Sequence, residues 1–299
     1  MSDRTTILDE LLASIGSERL VRPVAAGPAI NRFPDGRRYH VEIPSVETPE
    51  ALTAVLDEAS RRGIRVDRVS QGSGVSLLLD AELREMAAMA RESEVELVLW
   101  CGLRCSWDIS AMARSSSGSV AAAAVRGRLG LEAALDESLR AAQAGVSGVL
   151  VADVGVLTML GEAKHMGVLP ESFVLKTSLA LPCANPATAR SYVAAGATSL
   201  NLPTDLPLAE IGAIREKVTV ALDCYVEGAD DFGAPLRYHE IAQLVEVASP
   251  VHLKFGLRNA RSIYPAGAHL ASEVIGSARE RVRRAAIGLE TLDRAHVAH

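Results

Sequence analysis

Two lysines stand where lysines are rare. The chain carries 31 basic side chains, only four of them lysine, and two of those four lie inside apolar runs. Lys176 falls within Phe173 to Leu181, and Lys254 within Pro250 to Leu257. Both runs read as buried β-strands. An ammonium group in a protein core is costly unless it is paired or used. A desolvated lysine beside a second cation also gives up its proton more readily and becomes a nucleophile. The spacing therefore points to an enzyme, with Schiff-base formation on a carbonyl substrate as one chemistry.

Strand side chains alternate between two faces, so each strand offers one set to the core. In the run Leu222 to Glu227, the polar set is Asp223, Tyr225 and Glu227, and the other face is apolar. The same alternation groups Lys176 with Ser178, His252 with Lys254, His40 with Glu42, and Val151 with Asp153, and it adds Asn201 and Gln71 at strand ends. Three readings follow. In the first, Lys254 or Lys176 attacks a carbonyl while Tyr225 or Asp153 moves protons, giving aldolase or other lyase chemistry. In the second, Glu42, Asp153, Asp223 and Glu227 hold Mg²⁺ or Mn²⁺ for metal-dependent hydrolysis, since hard oxygen ligands suit those ions. In the third, the site binds a small ligand without catalysis. An anion is then held by Arg114, Arg126 and Arg128 or by backbone N–H groups of Gly72 to Gly74; in the catalytic readings Glu42, Gln71, Arg126, Asn201, Glu227 and His252 are the expected substrate contacts.

These residues need a scaffold that gathers them at one place. A short apolar strand followed by a longer amphipathic helix recurs along the chain. The expected strands are 40–46, 65–71, 95–101, 148–154, 173–180, 198–202, 218–227 and 250–256. Helix signals lie between them. Thr48 precedes Pro49 as an N-cap, Gly145 ends a helix from Leu131, Gly196 ends one from Pro186, and a last helix spans about 270–292. Eight such units over about 250 residues predict a closed (β/α)₈ barrel of the TIM type, class α/β. An open doubly wound sheet is the competing arrangement, but no glycine follows Gly74 at the spacing of a dinucleotide fingerprint. Residues 1–38 read as a helix (about 5–20) and a loop preceding a single barrel domain over 39–299. The Ser/Ala-rich stretch 111–128 reads as a long loop on the active face.

Composition narrows the partners. A net charge of −6 and an aromatic content of 4% give no general drive towards nucleic acid or an anionic membrane. No apolar run reaches the ~20 residues of a membrane helix, and the N-terminus lacks a signal-peptide layout. The expectation is a cytoplasmic protein acting on a small molecule, with homo-oligomerisation left open. Cys101, Cys105, Cys183 and Cys224 are too scattered for a disulfide framework. Alternation turns Cys224 away from the barrel interior, so an iron–sulfur cluster is not expected. A Gly-x-Ser-x-Gly elbow is missing, and His239-Glu240 lacks the second histidine of a zinc helix.

Two stretches resemble the U32 peptidase family. Asn185 to Ile211 contains a Gly196-Ala197 pair before a strand and a Leu-x-x-Ile helix after it. Leu253 to Tyr264 is similar to the family's Leu-Lys-x-x-x-Arg segment, with Lys254 and Arg258 at the charged positions. The resemblance covers roughly residues 145–292. It implies a TIM-barrel-like fold, a hydrolase acting on a peptide-like or small polar substrate, a substrate contact at Arg258, and Lys254 ahead of Lys176 as the reacting lysine. Two departures stand out. Gly256 occupies a position where the family usually has glutamate, and 228–233 lacks the cysteine pair from which some members draw cluster ligands.

Overall fold

The computed structural model of the chain describes residues 29–104, 111–116, 118, 122–233 and 235–296, together with Ile7, Glu10 and Ser14. Those three are helical; the rest of the helix expected over 5–20 lies outside the described residues. Eight parallel strands close a barrel in chain order. They are β1 (Tyr39–Pro44), β2 (Arg68–Gln71), β3 (Glu96–Trp100), β4 (Gly148–Val151), β5 (Val174–Thr177), β6 (Ser199–Asn201), β7 (Ala221–Glu227) and β8 (Val251–Phe255). Each is followed by a helix: α1 (Pro49–Arg62), α2 (Asp80–Glu92), α3 (Gly127–Ala144), α4 (Val154–His165), α5 (Pro186–Ala194), α6 (Leu208–Arg215), α7 (Ile241–Ala248) and α8 (Ala271–His296). All eight expected strands are present, each shorter than its apolar run. The fold is the (β/α)₈ barrel.

Local signals set the helix ends. Thr48 accepts from the Ala51 N–H ahead of Pro49, and Gly63 ends α1 at φ 62°, a conformation that other residues adopt at a cost. Asn185 caps α5 in the same way, accepting from Thr188 N–H. Helix α3 begins at Gly127, earlier than expected, and ends on Gly145 at φ 90°.

The two faces of the barrel wall differ sharply. Outward positions such as Val41, Ile43, Val69, Leu97, Leu99, Val149, Val151, Leu175, Leu200, Leu222, Leu253 and Phe255 join one continuous apolar core with the helices. Each large aliphatic side chain buried there is worth about 1.5–3 kcal/mol. Inward positions fall into layers of four from alternate strands, as TIM-type barrels require. The lowest is Arg68, Gly148, Ser199 and His252. The middle layer is Glu42, Val98, Lys176 and Asp223. Above it lie Ser70, Leu150, Asn201 and Lys254. The register supports this order, since Glu42 pairs with Arg68 on one side and Lys254 on the other, and Lys176 pairs with Leu150 and Ser199. A barrel core with this many ionisable groups departs from the usual filling of branched aliphatics.

Strand β4 corrects one expectation. Its inward residue is Leu150, which faces the mouth, while Val151 packs outward against the helices. The run Gly148 to Val151 is apolar on both faces, so it carries no alternation signal to set the phase.

Candidate active site

A cavity of about 160 Å³ opens at the C-terminal end of the strands. Its floor is the layer of Ser70, Leu150, Asn201 and Lys254, and its walls are Pro44, Trp100, Ser178 and Tyr225. Loop residues Arg104 and Tyr264 form part of the rim. The Arg104 guanidinium lies 3.7 Å above the Trp100 ring and 5.8 Å from that of Tyr264, and it donates to the Gly72 carbonyl. The Lys254 ammonium sits 4.4 Å from the centre of the Tyr225 ring.

Beneath this floor lies a buried ionic cluster. One Glu42 oxygen accepts from Lys176, and the other lies 3.2 Å from Lys254 Nζ and accepts from Ser70 at 2.7 Å. Lys176 Nζ is also 3.4 Å from Asp223. Arg68 donates to Asp223 and to Ser199, both at 3.0 Å, and reaches Glu96 at the lower end. His252 Nδ1 is 2.8 Å from Asp223 Oδ1, but it is not aligned for a hydrogen bond. Arg68, Lys176 and Lys254 thus balance Glu42, Asp223 and Glu96.

The electrostatics follow from burial and these contacts. Burial pushes Lys176 down to about 8 against the opposing pull of Asp223 and Glu42. Burial would raise the Glu42 carboxyl, but Lys176 and Lys254 outweigh it and hold the group below the ordinary carboxylate value. Asp223 behaves likewise, held well below its usual value by Lys176, Arg68 and His252 against burial. Burial, reinforced by Arg68, lowers His252 against the opposing pull of Asp223. Burial raises the Tyr225 phenol, with Glu42 adding to the effect. Glu42 touches both lysines, so its single charge is shared between them.

The expected site residues separate into two groups. Lys254, Asn201 and Tyr225 line the cavity; Glu42, Lys176 and Asp223 form its buried foundation. The rest are elsewhere. Asp153 is the N-cap of α4: its oxygens accept from Val156 N–H and Val125 N–H, both at 3.0 Å. Glu227 follows an irregularity in the β7–β8 register, which takes it out of the alternation. Its carboxylate accepts from Arg258 N–H and the Tyr238 hydroxyl and lies 3.5 Å from Arg284. Gln71 reaches the cavity edge, but its amide closes the turn by exchanging hydrogen bonds with Gly74. His252 and His40 sit at the lower end, His40 beside Asp35 at 3.0 Å. Arg126 and Arg128 are exposed on α3, and the Arg258 side chain is 3.9 Å from Asp230, outside the cavity.

The four carboxylates expected around Mg²⁺ or Mn²⁺ therefore do not converge. Among the described residues, no group of three or more His, Cys, Asp or Glu side chains is placed to hold a metal ion. The backbone N–H groups of Gly72 and Ser73 are also already taken. Both donate to the buried Glu47 carboxylate, at 2.9 and 2.8 Å, and that carboxyl is raised by burial. Cys101, Cys183 and Cys224 are buried thiols pushed up by desolvation to about 12, 11 and 12. Cys101 and Cys224 belong to strand positions on the outer, apolar side, and Cys105 lies outside the described residues.

Sequence reading missed Arg68, Ser70, Trp100, Arg104 and Tyr264. Arg68 and Ser70 carried a signal, as they alternate in β2. Arg104 and Tyr264 lie on loops, and tertiary structure alone brings them to the rim.

A barrel with a cation-lined mouth can now be set beside known proteins. A profile of Peptidase family U32 matches residues 114–232. This segment includes Lys176, Asn201, Asp223 and Tyr225, but neither Glu42 nor Lys254. Among solved structures, the U32 peptidase Mk0906 aligns over 66% of this chain and 72% of its own, at 19% identity and a TM-score of 0.42. A candidate fructose-1,6-biphosphate aldolase from Coccidioides immitis aligns over 86% of this chain and 93% of its own, at 12% identity and a TM-score of 0.52. No curated protein matches. The chain resembles the U32 peptidases across its middle, and the aldolase comparison shows the shared barrel fold. Among the described residues, no helix is long and apolar enough to cross a membrane.

Proposed function

We propose that this barrel is an enzyme in which Lys254 forms a Schiff base with a small carbonyl compound held in the mouth cavity. One observation carries the reading: among the described residues, Lys254 is the lysine that lines the cavity, and a single carboxylate, Glu42, joins it to the proton-loosened Lys176. With its proton released to solvent through the open mouth, the Lys254 amine adds its lone pair to the carbonyl carbon. The carbonyl oxygen takes up protons and leaves as water, giving an iminium ion. That cation withdraws electrons, so a neighbouring C–C or C–H bond breaks and its pair moves towards the nitrogen. The resulting enamine takes a proton from water at carbon to become an iminium again, and hydrolysis of that iminium releases the product and returns the amine. Tyr225, Ser178 and Asn201 line the same cavity, which supports a role for them in orienting the substrate. The class is a lyase.

A second reading rests on the Peptidase family U32 match. In it, Lys254 and Glu42 activate water against a peptide-like substrate, and the enzyme is a hydrolase. Borohydride separates the two. Treating the protein with a carbonyl compound and borohydride should fix a reduced adduct on Lys254, located by peptide mass spectrometry, and Lys254→Arg should abolish it, because arginine stays protonated. Cleavage of peptides with no adduct from any small aldehyde or ketone would replace the lyase reading with the hydrolase one.

A further inference from the structure

Lys254 and Leu150 stand opposite each other across the mouth. They lie on β8 and β4, four strands apart in a ring of eight, and both belong to the cavity floor. Ser70 on β2 and Asn201 on β6 are the other opposed pair of that layer. The Leu150 side of the cavity is apolar. Leu150 packs against a small apolar cluster containing Trp100 and Ala123, separate from the core between barrel and helices, and all three side chains line the cavity. The Trp100 indole N–H donates to the Gly102 carbonyl at 2.9 Å, so its polar atom is already satisfied. A carbonyl compound joined to Lys254 therefore projects its body onto this wall.

The charges at the mouth are already matched. The Lys254 ammonium lies 3.2 Å from Glu42, and Arg104 donates to the Gly72 carbonyl with its guanidinium on the Trp100 face. Among the described residues, no aspartate or glutamate lines the cavity. An ionised group on the occupant would lose water without gaining a partner of its own, which is costly. One neutral polar group remains open. Asn201 is 2% exposed in the floor, and its side-chain Oδ1 accepts no hydrogen bond. Ser70, on the facing strand, is engaged with Glu42. Buried polar atoms are rarely left without a partner. A ligand hydroxyl both donates and accepts, so it satisfies whichever end of the Asn201 amide it meets.

We infer that the occupant is an uncharged carbonyl compound with a compact apolar body, the size of a single benzene ring, that carries a hydroxyl. The carbonyl lies at Lys254, the body against Leu150, Ala123 and Trp100, and the hydroxyl at Asn201. This rests on Lys254 being the reacting amine. The volume sets the size: the cavity is about 160 Å³, and an apolar protein cavity of about 150 Å³ holds one benzene molecule.

Calorimetric titration of the full chain with benzaldehyde, its meta- and para-hydroxy derivatives, glyceraldehyde and pyruvate tests each feature. One of the two hydroxybenzaldehydes should bind about tenfold more tightly than benzaldehyde, and benzaldehyde at least about tenfold more tightly than glyceraldehyde or pyruvate. Both of these comparators are smaller than benzaldehyde, so size does not exclude them. Leu150→Asn should remove the preference for the ring over glyceraldehyde, and Asn201→Leu the preference for the hydroxyl. Glyceraldehyde or pyruvate binding as tightly as benzaldehyde, or no saturable binding of any of the three aryl aldehydes, overturns the inference, and these comparisons need only the unaltered protein. A hydroxyl preference that survives Asn201→Leu, or a ring preference that survives Leu150→Asn, overturns it as well. Borohydride trapping of the same probes keeps the two proposals apart. Ring-dependent binding without a Lys254 adduct retains the apolar occupant and removes the Schiff base. Lys254 adducts of equal yield from benzaldehyde and glyceraldehyde, indifferent to Leu150→Asn, retain the amine and remove the apolar occupant.

Discussion

The Nζ of Lys254 lies 3.2 Å from Oε1 of Glu42, a carboxylate with no exposure to solvent. The contact places an amine at the base of an open cavity and ties its charge to groups that solvent does not reach. The pH and mutational behaviour of the barrel's stability follow from that arrangement.

Removing the shared carboxylate should be severe. Glu42→Gln leaves Lys176 and Lys254 without their common partner, and breaking a buried pair in this way costs about 3–5 kcal/mol. Urea denaturation of Glu42→Gln, Lys176→Met and the double variant measures it. The double variant should lose less than the sum of the two single losses, because the second change removes the charge that the first left unpaired. Strict additivity would show that the pair is not energetically coupled.

Acid should unfold the barrel through the same cluster. Glu42 and Asp223 have folded values below their ordinary 4.5 and 3.8. The unfolded chain takes up these protons first, so their contribution is complete above about pH 5 and declines as the pH falls through 4 towards the folded values. Chemical denaturation at a series of pH values should show this decline, and it should be shallower in an Asp223→Asn, Glu42→Gln background.

Lys176 has the same sign in a higher pH window. Its folded value of about 8 lies below the ordinary 10.5. Above pH 8 the folded protein releases a proton that the unfolded chain keeps, so this group makes stability rise with pH between about 8 and 10.5. Lys176→Met should remove that rise.

Asp153 serves as a control for the site assignment. Asp153→Ala removes the α4 N-cap and should cost about 1–2 kcal/mol in thermal or urea unfolding, whereas Asp153→Asn keeps a good cap. Both should leave Lys254 trapping unchanged. Loss of trapping in Asp153→Asn would return this carboxylate to the catalytic machinery.

The fold was legible because the alternation of apolar strands with capped helices is repeated eight times, and errors of one residue at strand ends do not alter it. The site was legible only where polarity breaks an apolar run. Lys176, Asn201, Asp223 and Lys254 stand out in this way and are the residues gathered at the barrel axis. Asp153 was misplaced because β4 is apolar on both faces and gives no phase. Glu227 was misplaced because the irregularity between Tyr225 and Glu227 resets the alternation that Asp223 and Tyr225 obey. Arg104 and Tyr264 had no such pattern to reveal them, since loop positions are fixed by packing rather than by periodicity.

Trp100 gives the cavity an optical reporter of its own occupancy. The sequence has two tryptophans, and the second, Trp107, lies outside the described residues. In a Trp107→Phe protein, all indole emission comes from a ring that walls the cavity, donates to the Gly102 carbonyl at 2.9 Å and carries the Arg104 guanidinium on its face. A ligand that draws that cation aside alters the field across the ring, and with it the colour and yield of the emitted light. Compounds can therefore be screened by fluorescence alone, before any reaction has been assigned.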